Sequence, residues 1–234
     1  MAMFWLRGVS LGLILLFAAP FAALAHDDAD TRASEESRAV IAGNLGRMPW
    51  KPMFDGSWDG WSQRAAGGAF EAVTGAPDGW EVVGEDGIVG DNRSGSTALA
   101  FGEPSWRNVE LSARVTPLAG GNAAIMFRID EDGDGWYTFD LMLGWQVAAI
   151  YKLERNDEGS MELTKLSTVN YALSRDREYD VQIAARDHSI TTYIDGELVN
   201  QLTDDTWPRG RVALNIWHAK TQYRNLRYRV LDEN

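Results

Sequence analysis

Apolar and polar positions alternate in short runs from about residue 51 to the end of the chain. A period of two is typical of strands that bury one face, and the runs are separated by glycine, proline, aspartate and asparagine. No convincing long helix is indicated after residue 50. The runs predicted as strands are Trp80–Val83, Gly87–Val89, Ala98–Phe101, Val109–Thr116, Ala123–Ile129, Trp136–Leu143, Gln146–Leu153, Met161–Val169, Tyr179–Arg186, Ser189–Ile194, Glu197–Leu202, Arg211–Trp217 and Gln222–Val230.

Two dipeptides, Asp187-His188 and Asp195-Gly196, predict tight hairpins between neighbouring runs. Asp-Gly is favoured in two-residue hairpin loops because both positions tolerate a positive φ. Many short strands joined by regular turns, without an internal repeat, are typical of antiparallel sandwiches and barrels. We therefore predict one all-β domain, an antiparallel β-sandwich, over residues 51–234.

The first 50 residues have a different character. Arg7 precedes an apolar stretch at residues 11–21, and Ala23-Leu24-Ala25 is a small-residue cleavage motif. The stretch is shorter than the roughly 20 residues that span a bilayer, which favours a signal peptide at residues 1–25 over a membrane anchor. Residues 26–50 are predicted as a flexible lead-in, with a short helix over residues 34–45 as the alternative. The expected location is periplasmic or secreted, without membrane insertion after cleavage.

Composition and charge narrow the classes of function. The chain has no cysteine, which excludes disulfides, thiolate metal sites and cysteine nucleophiles. Its formal net charge of −12 disfavours nucleic acid and anionic membranes as partners, since both attract basic patches. A neutral glycan is unaffected by this repulsion. The three histidines are too scattered to indicate a zinc site.

The most informative segment is an apolar run that ends in an acidic turn, over residues 120–140. Strand parity places Arg128 on the face away from Phe127, and it places Thr138 and Asp140 together on one face of the next strand. A charged side chain in an apolar strand is costly to bury, so this face is predicted to meet water or a polar ligand. If the two strands pair through the turn, Arg128 and Asp140 are expected to approach and orient each other.

The acidic turn itself has the spacing of the start of a calcium loop. Asp130, Asp132 and Asp134 alternate ahead of Gly135, and oxygen ligands at such positions can wrap a hard cation. The twelfth position is Leu141, where that motif uses a bidentate glutamate. A metal-free turn is favoured and a Ca²⁺ site remains the alternative; no other cofactor is predicted.

Aromatic side chains are a second candidate for ligand contact, because sugar CH faces stack on aromatic rings. Tryptophans on predicted loops or exposed faces are Trp136, Trp145, Trp207 and Trp217. Trp217 shares its strand face with Asn215 and is the best stacking candidate, whereas Trp136 and Trp145 are equally compatible with core filling. The remaining candidates for substrate contact are Thr138, Gln146 and Lys152.

Six motifs occur in a characteristic order. They are Met53–Gly56 with Trp58 and Trp61, Trp80–Val83 with Asp86–Gly90, Asn108–Leu111, Gly121–Arg128, Tyr193–Val199 and Tyr223–Arg227. Together, over residues 52–232, they resemble the 3-keto-disaccharide hydrolase domain family. The resemblance implies a concanavalin-like jelly roll with a sugar-accommodating concave sheet. It also implies cleavage of glycosides or 3-keto-glycosides, with Asp140 as acid or base and Arg128 orienting a sugar oxygen.

The chain departs from the family pattern at four positions. Thr138 stands where the family carries a carboxylate, Trp217 where it carries a histidine, and both Asp140 and Asn215 where it carries a glutamine. Hydrolysis by two carboxylates would have to combine Asp140 with Asp130 or Asp134. We therefore slightly favour an exported glycan-binding protein. The alternatives are a glycoside hydrolase acting on disaccharides or 3-keto-disaccharides, and a structural sandwich without a small ligand.

Overall fold

The computed structural model describes residues 48–65 and 68–231. The predicted signal peptide, and the lead-in up to residue 47, lie outside these described residues. No helix in the described ranges is long and apolar enough to cross a membrane.

The regular elements of the described residues are strands, and all of their pairings are antiparallel. They are β1 (Lys51–Pro52), β2 (Trp61–Ala65), β3 (Glu71–Ala72), β4 (Trp80–Val83), β5 (Gly87–Phe101), β6 (Val109–Ala119), β7 (Asn122–Ile129), β8 (Gly135–Met142), β9 (Val147–Arg155), β10 (Met161–Asn170), β11 (Tyr179–Arg186), β12 (Ser189–Ile194), β13 (Glu197–Thr203) and β14 (Arg211–Val230). The predicted all-β class is confirmed.

Two long strands, β5 and β14, pass from one layer of the sandwich to the other. β14 pairs with β7 through residues 211–215 and with β6 through residues 220–230. β5 accompanies it, and the register between them shifts at His218. Such bulges bend strands at the corners where they change sheets. The first layer therefore runs β10-β9-β8-β7-β14-β5-β2-β3, and the second runs β13-β12-β11-β6-β14-β5-β4.

The crossing explains how the predicted strands differ from the observed ones. Gly87–Val89 and Ala98–Phe101 are the two ends of β5, and Arg211–Trp217 and Gln222–Val230 are the two halves of β14. Polar residues at each corner interrupt the alternation, so each strand was predicted as two. The short strands β1, β2 and β3 were not predicted. The hairpins at Asp187 and Asp195 are confirmed, and both residues have a positive φ.

The hydrophobic core lies between the two layers. From the first layer it takes one face of each strand, including Ile125 and Phe127 of β7 and Tyr137 and Phe139 of β8. Because side chains alternate across a strand, the residues between these point to the outward side of the first layer. That outward side carries Thr138 and Asp140, which confirms their predicted common face.

Candidate functional site

The outward side of β5, β14, β7, β8 and β9, here called the Asp140 face, has a floor of alanines. One cross-strand row contains Asn215, Ala124, Asp140 and Ala149, in that order. Directly opposite residues project from the same side of a sheet, and neighbouring strands are about 4.8 Å apart. Asn215 and Asp140 therefore flank Ala124 with about 10 Å between their strands. Two polar groups thus stand on either side of a small, flat apolar surface.

Asp140 is buried, at 7% exposure, and its hydrogen-bond donors are neutral. Asn122 Nδ2 donates to Oδ1 at 3.0 Å, and Thr138 Oγ1 donates to Oδ2 at 3.1 Å. Burial raises the pKa of Asp140 to about 6, and the two hydrogen bonds oppose this rise. The carboxyl can therefore exchange a proton near neutral pH, as acid–base groups of functional sites do.

A tyrosine lies close to this carboxyl. Tyr151 of β9 is directly opposite Thr138, and its hydroxyl contacts Met142 Sδ at 3.2 Å. Burial raises the pKa of Tyr151, and the negative charge of Asp140 raises it further. Neither Tyr151 nor Asn122 was a sequence candidate. Strand parity was the available signal. Tyr151 is two residues from Ala149, and Asn122 is two residues from Ala124, so each lies on the same face as that alanine.

Glu110 of β6 is the other well-buried carboxylate of the described residues, and unlike Asp140 it has charged partners. Glu110 forms ion pairs with Arg186 and Arg229, and Arg229 Nε donates to it at 2.6 Å. In the described part of the chain, Asp140 forms no ion pair with an arginine or lysine. A buried carboxylate without a cation destabilises the fold, and such groups are found most often at functional sites, which makes Asp140 a candidate.

Arg128 is fully buried, but it is not a partner of Asp140. Its φ of 51° departs from extended backbone and ends the simple alternation of side chains. The guanidinium donates to the carbonyl oxygens of Asp187 (2.6 Å), Arg107 (3.2 Å) and Trp207 (3.3 Å). Ala124 of β7 is directly opposite Asp140, and Arg128 lies four residues further along β7, about 13 Å from Ala124. The predicted Arg128–Asp140 pair is therefore wrong, and Arg128 fastens three loops.

Two other candidates belong to the scaffold. Gln146 Nε2 donates to the carbonyl oxygens of Leu143 and Leu173, and its Oε1 accepts from Leu173 N. Lys152 is opposite Tyr137, on the other side of the sheet from Asp140, and its Nζ donates to Thr206 Oγ1 at 3.0 Å. The structure therefore gives neither side chain a place on the Asp140 face.

Trp217 lies on this face with Asn215, as predicted, and it is 54% exposed. It precedes the bulge of β14 and packs edge-on against His218, with ring centroids 5.1 Å apart. An exposed ring beside polar side chains can receive the CH face of a sugar. Its use as a stacking platform remains a prediction.

The remaining tryptophan candidates are placed differently. Trp136 lies on the Asp140 face but is only 7% exposed, and the Cζ of Arg64 lies 4.3 Å from its ring centroid. Trp207 packs tightly on Gly135, where a Cβ would clash with the indole ring. Trp145 is 70% exposed at the β8–β9 turn. Of these rings, Trp136 alone belongs to the Asp140 face, and Arg64 covers it.

The acidic turn between β7 and β8 is closed by its own hydrogen bonds. Asp134 N donates to Asp130 Oδ1 at 2.7 Å, Arg155 Nε donates to Asp134 Oδ1 at 2.7 Å, and Asp132 is exposed. Within the described ranges, no group of three or more acidic, histidine or cysteine side chains could hold a metal ion. The calcium alternative at the three aspartates therefore stays a prediction from the sequence.

A cleft of about 490 Å³ occurs elsewhere in the described residues. It is lined by the β2–β3 region from Gln63 to Asp78, largely by small residues and backbone. None of the Asp140-face residues takes part in it. The Asp140 face has the buried carboxyl with a raised pKa, so we take it as the candidate site.

A family model described as the 3-keto-alpha-glucoside-1,2-lyase-like domain matches residues 49–229. Among curated proteins, the chain is similar to an extracellular exo-alpha-L-arabinofuranosidase of Streptomyces chartreusis, with 24% identity over 154 residues. The match covers 65% of this chain and 17% of that protein. The chain thus spans about a sixth of the relative's length.

Solved structures with a similar fold include two from Bacillus subtilis. The carbohydrate binding module CBM66 from Bacillus subtilis has a TM-score of 0.57 and 19% identity, covering 71% of this chain and 93% of that one. A Bacillus subtilis protein of unknown function with a galectin-like fold has a TM-score of 0.55 and 10% identity, covering 78% of this chain and 94% of that one. The predicted concanavalin-like jelly roll is confirmed.

Proposed function

Since the chain belongs to the 3-keto-alpha-glucoside-1,2-lyase-like domain family, we propose that it is a carbohydrate-handling protein whose Asp140 face binds a saccharide. The observation that carries this proposal is the buried Asp140, held by the neutral donors Asn122 and Thr138 beside a floor of alanines. A carboxylate in that position accepts hydrogen bonds from sugar hydroxyls. Burial makes each of these hydrogen bonds stronger than it would be in water.

The other groups on the face suit a pyranose or furanose ring. Asn215 offers an amide donor and acceptor on the far side of Ala124, so hydroxyls at two edges of a ring can be bound. Trp217 lies two residues along β14 and offers an exposed ring for the CH face of a neighbouring sugar. The names of the solved relatives, a carbohydrate binding module and a galectin-like fold, support the same class of ligand.

A glycan array tests the proposal, with Asp140→Asn compared against Asp86→Asn. Asp86 is an exposed carboxylate in the β4–β5 turn, paired with Arg224, and it serves as the matched control. We expect binding of at least one saccharide, about tenfold weaker in Asp140→Asn and unchanged in Asp86→Asn. Equal binding by both variants would show that the saccharide does not bind at the Asp140 face. Absence of binding to any saccharide would favour the structural alternative.

Catalysis is the second candidate, and one observation favours it: the pKa of Asp140 is about 6. In a 3-keto-glucoside, the ketone makes the C2 hydrogen acidic, so a single base suffices. Asp140 would take that proton, the electron pair of the C2–H bond would form a C1=C2 double bond, and the C1–O bond would break. The leaving oxygen would then receive a proton from Asp140, which regenerates the carboxylate.

Hydrolysis by two carboxyls is less compatible with the geometry. It requires separations of about 5–9.5 Å. Asp134 precedes Asp140 by six residues of nearly extended chain, about 20 Å. Incubation with a 3-keto-glucoside and with the corresponding ordinary glucoside separates the alternatives. We expect loss of the 3-keto substrate only, abolished in Asp140→Asn; turnover that survives this substitution would exclude Asp140 as the base.

A further inference from the structure

Two arginines, Arg64 of β2 and Arg211 of β14, occupy the end of the Asp140 face near Trp136. Arg211 lies on the same side of β14 as Asn215, and Arg64 reaches over the small residues of the floor to the ring of Trp136. The apolar residues beneath them are Ala98, Ala100, Met126, Ile129, Trp136 and Ala213. Two cations are thus held against apolar surface on the face to which we assign saccharide binding.

Aromatic rings, rather than carboxylates, hold these guanidiniums in place. The Cζ of Arg64 lies 4.6 Å from the ring centroid of Phe70, and the Cζ of Arg211 lies 5.0 Å from the same ring. Arg64 Nη1 donates to the carbonyl oxygen of Gly133 at 2.7 Å. Stacking fixes the planes of both guanidiniums and leaves polar edges for other partners.

Arg211 is the less satisfied of the two. Its Nη1 donates to Ser62 Oγ at 3.3 Å, and its Nε is buried without a hydrogen-bond partner. In the described part of the chain, neither Arg211 nor Arg64 forms an ion pair. Arg155, a neighbour of Arg64, is paired with Asp134 at 2.7 Å. Carboxylates lie near Arg64 and Arg211, but among the described residues none is close enough to either arginine to form an ion pair.

The electrostatics agree with this geometry. Burial and the nearby charge of Arg155 lower the pKa of Arg64 to about 10, and burial lowers the pKa of Arg211. The nearby carboxylates, Asp130 above all for Arg211, oppose these shifts only in part. Both cations are thus held at some cost in free energy, which an anionic ligand would offset. The net charge of the whole chain is −12, so general electrostatic attraction would not draw an anion to this protein. Any preference for anions would have to arise locally.

We propose that Arg64 and Arg211 receive the carboxylate or sulfate group of an acidic saccharide bound on the Asp140 face. A guanidinium fork matches both groups with two parallel hydrogen bonds. Trp136, beside the arginines, and Asp140 lie four residues apart along β8, about 13 Å. The ligand that reaches both ends is therefore longer than one sugar unit, with its charged group on the unit next to the one at Asp140. This inference rests on the proposed saccharide binding.

The test uses an array that carries uronate-containing, sulfated and neutral glycans. The tightest acidic ligand is then compared by calorimetry with its methyl-esterified or desulfated form, which tells a carboxylate from a sulfate. We expect the acidic form to bind at least about tenfold more tightly than its neutral counterpart. In Arg211→Gln this difference should fall below about threefold, with the affinity for the neutral form unchanged, and Arg211→Lys should retain part of it.

Arg177→Gln is the matched control, because Arg177 also stacks on a ring, that of Tyr179, but is paired with Asp195. It should leave both affinities unchanged. Thermal melting confirms that each variant is folded. If Arg211→Gln does not fold, Arg64→Lys is used in its place, and it should reduce the preference for the acidic form. Equal binding of acidic and neutral forms would overturn the arginine assignment while leaving saccharide binding intact. Absence of binding to every glycan would instead overturn the proposed function, and this inference with it.

Discussion

At the scale of single residues, Asp140 is held in a state that costs stability. Its pKa is about 6 in the folded protein, against 3.8 for the free group. The folded state thus retains a proton that the unfolded state releases between about pH 4 and pH 6. The contribution of this carboxyl to stability therefore falls as the pH rises through that window, by up to about 3 kcal/mol.

Asp140→Asn removes the charge and keeps the shape of the side chain. We expect the variant to be more stable than the wild type at pH 7.5, with most of the gain lost at pH 4, where the wild-type carboxyl is protonated in the folded state and partly protonated in the unfolded state. Thermal melts at the two pH values measure this. A variant that melts below the wild type at pH 7.5 would show that the carboxylate is stabilised by its surroundings.

Trp217 separates a ligand platform from a core residue. The ring is 54% exposed, so Trp217→Ala should change the free energy of unfolding by no more than about 1 kcal/mol. A tryptophan buried in the core would instead cost about 3–5 kcal/mol on truncation. Denaturant melts combined with glycan affinity decide between them. Severe destabilisation, or binding equal to that of the wild type, would contradict the platform assignment.

At the scale of elements, Arg128 connects loops that are distant in sequence. Its guanidinium bonds carbonyl oxygens in the β5–β6, β11–β12 and β13–β14 connections. Arg128→Met should therefore destabilise the fold by about 3 kcal/mol, since three partly buried carbonyl acceptors lose a charged donor. The folded fraction should keep the glycan affinity of the wild type. A stable variant with weakened glycan binding would show that Arg128 takes part in the binding site.

Strand alternation predicted the face of Asp140, Thr138 and Trp217, because those residues lie in regular strand segments. The same rule failed for Arg128, where a positive φ that no local sequence signal specifies turns the backbone away from regular strand geometry. Lys152 was a candidate for substrate contact, but strand parity already puts it on the other face of β9 from Tyr151, and the structure agrees. The pairing of β5 with β14 through two layers depends on tertiary contacts and could not be read from short runs.

At the scale of the whole molecule, export remains a prediction from the sequence. If residues 1–25 form a signal peptide, the protein recovered from an exporting host begins at His26. Intact-mass measurement of the purified protein checks this. A mass that includes residues 1–25 would favour the membrane-anchor alternative.

The central claim is that a saccharide binds over the alanine floor between Asp140 and Asn215. Mapping of amide chemical shifts during titration with the tightest array ligand tests it most directly. We expect the largest shifts at Ala124, Asp140 and Asn215, with Trp217 following. Shifts confined to the Gln63–Asp78 cleft or to the second layer would contradict the claim.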